Sequence, residues 1–347
     1  MHRAAIAYAL ASAALFGAST PLAKLLVGEI APLLLAGLLY LGSGLGLLAW
    51  FLLRKREQRA TNLSRADLPW LAGAILAGGV MGPALLMYGL TRSDGATASL
   101  LLNLEAVFTA VIAWVVFREN VDRRIFAGMA AIIAGGVVLS WDEMPRAGGL
   151  AGPLLIAAAC LAWAIDNNLT RRVSGGDAVT IAGLKGLVAG SVNLTLALLQ
   201  GASLPAPSLL AAAGVLGLFG YGISLVLFVV ALRHLGTART GAYFSVAPFF
   251  GAALALLVLR ESPSVAFWIA AGLMAAGVWL HLTERHQHSH VHEPMEHTHV
   301  HSHDEHHRHE HGFDWDGREP HTHAHAHRRL AHSHPHYLDL HHRHDHG

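Results

Sequence analysis

The chain has 347 residues, 53% of them hydrophobic and only 14% charged, and a formal net charge of +1. A soluble domain carries about 25% charged residues, and the segment from Arg285 onward holds 16 of the 47 Lys, Arg, Asp and Glu residues. The remaining body is therefore too apolar for a soluble fold, and the near-neutral charge gives no basis for nucleic-acid binding. One cysteine, Cys160, excludes an intramolecular disulfide and an all-cysteine metal site.

Ten apolar stretches follow one another: 5–26, 31–53, 68–90, 95–117, 124–141, 152–170, 178–200, 208–231, 237–259 and 264–282. Each is close to the ~20 residues that cross a hydrocarbon core of about 30 Å. The first, with Arg3 ahead of it and Ala11-Ser12-Ala13 inside it, has the outline of a signal peptide. Its apolar run continues to Leu26 and many similar spans follow, so a first transmembrane helix is expected instead. Pro69, Pro153 and Pro263 stand near span starts, where a missing N–H costs least. The 36 glycines suit membrane helices packed through small residues.

With the N-terminus inside, one face collects Arg3, Arg54, Lys55, Arg56, Arg59, Arg65, Arg118, Arg123, Arg124, Arg171, Arg172, Arg233 and Arg239, and the other only Arg92, Arg146 and Arg260. Basic loops stay in the cytoplasm. Both termini are then expected there, in a multi-pass protein of a bacterial inner membrane.

A repeat runs through the body. Span four, from Asn103, ends in Phe117-Arg118-Glu119; 142 residues later span nine, from Ser245, ends in Leu259-Arg260-Glu261. Spans five and ten share Phe126 with Phe267, Ala130 with Ala271, and Gly136-Val137 with Gly277-Val278. Ser19 to Lys24 in span one matches Asp166 to Arg171 in span six more loosely. A repeat of five spans must be inverted on its second pass, which is how many secondary transporters are built. The expected fold is an all-α integral membrane protein of ten helices in two inverted five-helix repeats, 1–142 and 150–283, followed by a disordered cytoplasmic tail, 284–347.

These motifs carry a family resemblance. Phe16-Gly17-Ala18-Ser19-Thr20-Pro21-Leu22-Ala23-Lys24 resembles the first-helix signature of the drug/metabolite transporter superfamily, EamA type. Leu102-Asn103-Leu104-Glu105 through Trp114 and Glu119 resembles the fourth-helix signature, and Ala247-Pro248 through Glu261 the ninth. The resemblance covers about residues 5–282 and implies two repeats, cytoplasmic termini and a solute cavity between the halves. Many members have proline after the position of Glu105; here Ala106 stands there, while Pro248 is kept. That removes the expected source of a kink in span four. Glu119 and Glu261 end helices at the C-terminus, where the dipole disfavours acids; the resemblance suggests a structural or hinge role.

Ionisable groups in lipid are costly and suggest function. Glu105 lies about ten residues into span four, near mid-membrane at ~1.5 Å per residue. It serves as a proton-coupling carboxylate, as the binding group for a cationic cargo, or as a protonated interhelical hydrogen-bonding group. Asp166 and Lys185 lie at matching depth on spans six and seven, so they form a structural ion pair or line the cavity. Asn167 and Asn168 are adjacent and point about 100° apart, so they cannot face the cavity equally. Asn103 and Asn193 are deeper amides whose commoner use is interhelical hydrogen bonding. Lys24, near the outer end of span one, either snorkels or lines the cavity. Trp163, Tyr221 and Tyr243 either shape the cavity or pack.

Beyond His281 the chain changes character: 23 of the 26 histidines lie from His286 to His346. Alternating His-x-His runs comprise His286, His288, His290 and His292; His297, His299, His301 and His303; His321, His323, His325 and His327; and His332, His334 and His336. This spacing suits an extended chain and no single helical face. Imidazole suits Ni, Co, Zn and Cu, so exchangeable multi-site metal binding is expected, with no resident cofactor required.

Three readings follow. The first is a secondary exporter of a small polar metabolite or cation, with protons as a coupling ion. The second is an exporter of Ni, Co or Zn ions whose tail collects cytosolic metal. The third is a non-transporting metal sensor or membrane scaffold. An enzyme is not expected, since no nucleophile–base constellation is present; the lipid bilayer is the certain partner, and a homodimer is compatible with the sequence.

Overall fold

The computed structural model describes residues 2–53, 64–117, 123–143, 149–173, 177–235, 240, 243–283, 286–292, 295–301, 321–327 and 330–336. These fall into two units, Met1–Glu284 and Arg285–Gly347. Glu119 and His303 lie outside the described residues.

The described residues of the first unit form helices joined by turns and short irregular connections, with no strand among them. Span one is α1 (His2–Val27) and span two α2 (Pro32–Leu53). Span three is composite: α3 (Leu68–Ala74), a π-helical segment Ile75–Met81, then α4 (Gly82–Leu90). Span four is split into α5 (Gly95–Leu101) and α6 (Leu104–Phe117). There follow α7 (Arg123–Glu143), α8 (Ala151–Val173) and α9 (Ala178–Leu199). Span eight repeats the composite form, with α10 (Pro207–Gly217), a π-helical segment Leu218–Ile223 and α11 (Ser224–Leu235). The unit closes with α12 (Ala247–Val258) and α13 (Val265–Leu282). Prolines sit in the first turn of α3, α10 and α12. Asp177 caps α9 through the Thr180 amide at 2.9 Å and Ser264 caps α13 through that of Phe267 at 3.0 Å, each stabilising by roughly 1 kcal/mol.

One expectation, a straight span four, is corrected here, and the count of ten spans is met in part. Among the described residues eight helices are long and apolar enough to cross a membrane; at the ninth and tenth expected positions stand shorter apolar helices, 247–258 and 265–281. The chain makes a turn at Ser245–Val246, just before α12. Span four, expected to run straight without its proline, is interrupted at Leu102–Asn103. The turn there closes through short-range bonds, Leu102 N–H to Ser99 and Asn103 N–H to Leu100, and the Asn103 side chain donates to the Leu100 carbonyl at 2.9 Å. A side-chain amide that competes for backbone carbonyls breaks a helix without proline.

The two halves exchange partners. α1 packs on α12 and on the π segment of span eight, and α8 packs on α6 and on the π segment of span three. α2 lies along α9, and α7 along α13. Lipid tails give no hydrophobic force between helices, so close backbone approach supplies the packing. A methyl group on Gly186 would overlap the backbone of Gly44 and Tyr40, and one on Gly17 the carbonyl of Ala247.

The second unit, expected to lack regular structure, contains two antiparallel ribbons. Strand β1 (His286–His292) pairs with β4 (Leu330–His336), and β2 (Met295–His301) with β3 (His321–His327). The His-x-His alternation has the period of two that a strand needs.

Replacing Gly17 with valine forces backbone apart at the α1–α12 crossing, whereas a methyl group on Gly272 would meet no atom within 4 Å. Gly17→Val is expected to lose about 1–3 kcal/mol or more and Gly272→Ala to stay near wild type. Thermal unfolding of the purified protein in detergent checks this, and equal midpoints for the two variants would contradict the packing described.

Candidate functional site

The centre of the first unit is organised around the π segment of span three. A π turn displaces carbonyls from the ordinary helical ladder, and here other spans meet them. The Gly78 carbonyl accepts from the Tyr40 hydroxyl at 2.8 Å and the Trp163 indole N–H at 2.9 Å. The carbonyls of Val80 and Gly79 accept from Asn193 Nδ2 at 3.2 and 3.4 Å. Asn193 is completely buried; this backbone bonding uses its Nδ2, while its Oδ1 has no hydrogen-bond partner among the described residues.

Gly78 also makes room for Asp166, whose carboxylate fills the space that a side chain at 78 would need. Asp166 accepts from Lys185 Nζ with both oxygens, at 2.6 and 2.7 Å, and from Thr170 Oγ1 at 2.7 Å. Lys185 also donates to Thr170 Oγ1 at 3.2 Å. Asp166 and Lys185 are each 7% exposed. The charges are neutralised and their hydrogen bonds made within the triad, the condition under which a buried pair is tolerated.

Glu105 is in a different situation. It opens α6 directly after the break in span four and is half-buried. Its Oε1 accepts from Asn167 Nδ2 at 2.8 Å, and Asn167 also donates weakly to Thr109 Oγ1 at 3.5 Å. No basic side chain pairs with Glu105 among the described residues. Asn167 is exposed, whereas the next residue, Asn168, is buried and donates to the Ala164 carbonyl of its own helix at 2.8 Å.

Aromatic rings fill the space between the halves. Phe16 meets Trp163 edge-on at 6.1 Å, Tyr221 at 5.9 Å and Phe244 at 5.4 Å, and Tyr40 lies 5.4 Å from Tyr221. Tyr243 stands apart, against Ala5, Ala9 and Ala231.

Of the residues selected from sequence, the structure brings together Asp166 with Lys185, and Glu105 with Asn167; Asn193 sits against the π segment. Asn103 serves the break in its own span, and Lys24 lies at the far end of α1, where it donates to the Leu90 and Ser93 carbonyls. Sequence reasoning does not single out Tyr40, Thr170, Thr109, Phe16 or Gly78 as site residues. The adjacent glycines Gly78-Gly79 ahead of Gly82-Pro83, and a tyrosine alone in apolar span two, are the available signals. The histidine side chains of the tail lie outside what is described, and among the described residues no group of three or more His, Cys, Asp or Glu could hold a metal ion.

The model of the EamA-like transporter family matches residues 3–141 and again 150–283. The chain belongs to the EamA-like transporter family. It is 31% identical over 284 residues, 76% of this chain and 82% of the relative, to an uncharacterised transporter of Methanothermobacter thermautotrophicus. It is 26% identical to the uncharacterised inner membrane transporter YedA of Escherichia coli, covering 71% of this chain and 80% of that one. A shorter match, 35% over 85 residues (24% of this chain, 74% of the relative), is to a probable 4-amino-4-deoxy-L-arabinose-phosphoundecaprenol flippase subunit, ArnE, of Pseudomonas fluorescens. A solved crystal structure matches with a TM-score of 0.61 over 81% of this chain and 97% of its own, at 21% identity; that likeness concerns the fold alone. The EamA-family chain is thus a multi-pass membrane transporter.

If the buried pair is as tight as it stands, Lys185→Met leaves an unpaired carboxylate and is expected to cost about 3–5 kcal/mol. Asp166→Asn combined with Lys185→Met should recover most of the loss. Unfolding midpoints of the single and double variants check this; equal losses in all of them would mean that the two residues act independently.

Proposed function

We propose that the protein is a secondary active exporter of a small polar or cationic solute, and that Glu105 is the group that binds the solute or the coupling proton. One observation carries the reading. Of the two membrane carboxylates at the centre, Asp166 is paired with Lys185, whereas Glu105 accepts a hydrogen bond from the neutral Asn167 amide and has no basic partner among the described residues. A carboxylate held by an amide keeps a lone-pair site for a cation or a proton, and a position at a helix break gives it room to exchange partners. The aromatic rings of Phe16, Trp163 and Tyr221 between the halves suit an organic solute, whose cationic centre aromatic faces also attract. The reading is one of transport and not of catalysis. The excess of Lys and Arg on the face of the N-terminus supports cytoplasmic termini in a bacterial inner membrane, and hence loading from the cytosol.

A second reading concerns the tail. The strand register sets histidine opposite histidine at three positions in each ribbon: His286 with His336, His288 with His334 and His290 with His332, then His297 with His325, His299 with His323 and His301 with His321. This register supports capture of Ni, Co, Zn or Cu ions by the tail, as a cytosolic collector whose link to the cargo is separate from the membrane site.

Proton flux driven by a panel of organic cations and amino compounds in proteoliposomes tests the first reading. Glu105→Gln is expected to reduce it to background while the protein remains monodisperse, and undiminished flux would remove Glu105 from the mechanism. For the tail, deletion of 286–347 is expected to abolish Ni²⁺ binding by the purified protein and to leave cation-driven flux intact. Growth and metal content of a strain lacking the protein, across Ni, Co, Zn and Cu, decide whether metal is also cargo: unchanged tolerance and accumulation would exclude it.

A further inference from the structure

The turn between spans three and four is held from two sides. Lys24, at the end of α1, donates to the carbonyls of Leu90 and Ser93, the latter at 2.8 Å. Glu261, just beyond α12, accepts from the Gly95 amide with Oε1 at 2.7 Å and from the Ala96 amide with Oε2 at 2.8 Å. The carbonyl end of one helix and the amide end of the next are thus each met by a charge of the favourable sign. The acid comes from the second half of the chain, 165 residues away. Arg260, directly before it, has φ 54°, a left-handed conformation that is uncommon for a residue with a side chain and is retained where surrounding contacts enforce it. The turn places Glu261 over α5, with the Leu259 side chain close against Gly95.

Burial along span four shows what this clamp closes. Every residue from Gly95 to Asn103 is buried. After the break, Val107 alone is buried among the residues of 104–116 whose exposure is described, and Glu105, Thr109 and the facing Asn167 are partly or fully open. Span four is therefore buried on the side where α1 ends and more exposed on the side where α1 begins, with the Leu102–Asn103 break as the border.

We propose that Glu261 and Lys24 form a latch that shuts the face at which α1 ends, and that release of the Glu261–Gly95/Ala96 contact lets α5 swing away from α12 to open that face while the opposite one closes. The proposal goes beyond the role given to Glu105 and needs no knowledge of the solute. Glu261 also accounts for an acid at a helix C-terminus that its own helix disfavours: its partner is the N-terminus of another.

The test uses the full-length protein in lipid nanodiscs, in a Cys160→Ala background, and follows labelling by a hydrophilic thiol reagent at two sites. Ser99→Cys, completely buried in α5, reports the latched side; Thr109→Cys, half-buried in α6, reports the side beyond the break. Glu261→Gln is expected to raise the Ser99→Cys rate on the order of ten-fold, the scale of losing a charge-assisted hydrogen bond, and to lower the Thr109→Cys rate. Lys24→Met, which frees the carbonyl side of the turn, should act in the same direction and serves if Glu261→Gln does not fold. Unchanged rates at both sites would overturn the latch. A rise at both sites would also overturn it, because loosening without reciprocal closure is local unfolding and not gating.

Discussion

Inside a bilayer no water waits for a backbone amide or carbonyl that leaves its helix; another part of the chain must meet it, at a cost of several kcal/mol otherwise. This chain leaves regular helix repeatedly, in the π segment of span three and at the break in span four, and much of its intramembrane polarity answers those departures. Tyr40, Trp163 and Asn193 serve the carbonyls of Gly78, Gly79 and Val80. Asn103 serves Leu100, Lys24 the end of span three and Glu261 the start of span four. Once these are set aside, and the Asp166–Lys185 pair with them, Glu105 and Asn167 stand out among the described polar side chains at the centre as a pair bonded to each other and not to backbone. The functional reading of Glu105 thus rests on accounting for its neighbours.

Much of this is legible in the sequence because membrane helices obey simple length and charge rules. The spans follow from hydropathy, and the shared Arg-Glu ends mark the repeat. Depth arithmetic puts Asp166 beside Lys185. The failures have a common cause. Proline is the sequence marker of a kink, and Ala106 in its place argues for a straight span four; the side chain of Asn103 makes the break instead. π turns have no residue signature beyond flexible glycines, so the role of Tyr40 as a partner of the Gly78 carbonyl is invisible in the sequence. Lys24 reads as a cavity or snorkelling residue because its targets are carbonyls, which no sequence pattern displays. In the tail, sparse hydrophobicity argues against any order, although the His-x-His alternation that suggests metal binding is also the alternation of a strand.

The π segments of spans three and eight begin 143 residues apart, almost the 142-residue offset of spans four and nine. Gly78 and Gly220 occupy corresponding places in them, and each lies against the first span of the other half. Backbone irregularity has therefore been retained in both halves while the side chains meeting it have diverged: Gly78 faces Asp166, and Gly220 faces Ser19.

That divergence has an energetic consequence. Two identical inverted halves that swap conformations would have inward- and outward-open arrangements of equal free energy, because a two-fold axis in the membrane plane interconverts them. Here one half carries a desolvated charge pair against its partner's π turn, and the other carries a serine whose hydroxyl is turned to its own helix at Phe16. On the proposed transport reading the exchange would no longer be degenerate: the arrangement that better accommodates the Asp166–Lys185 pair would be favoured in the empty transporter.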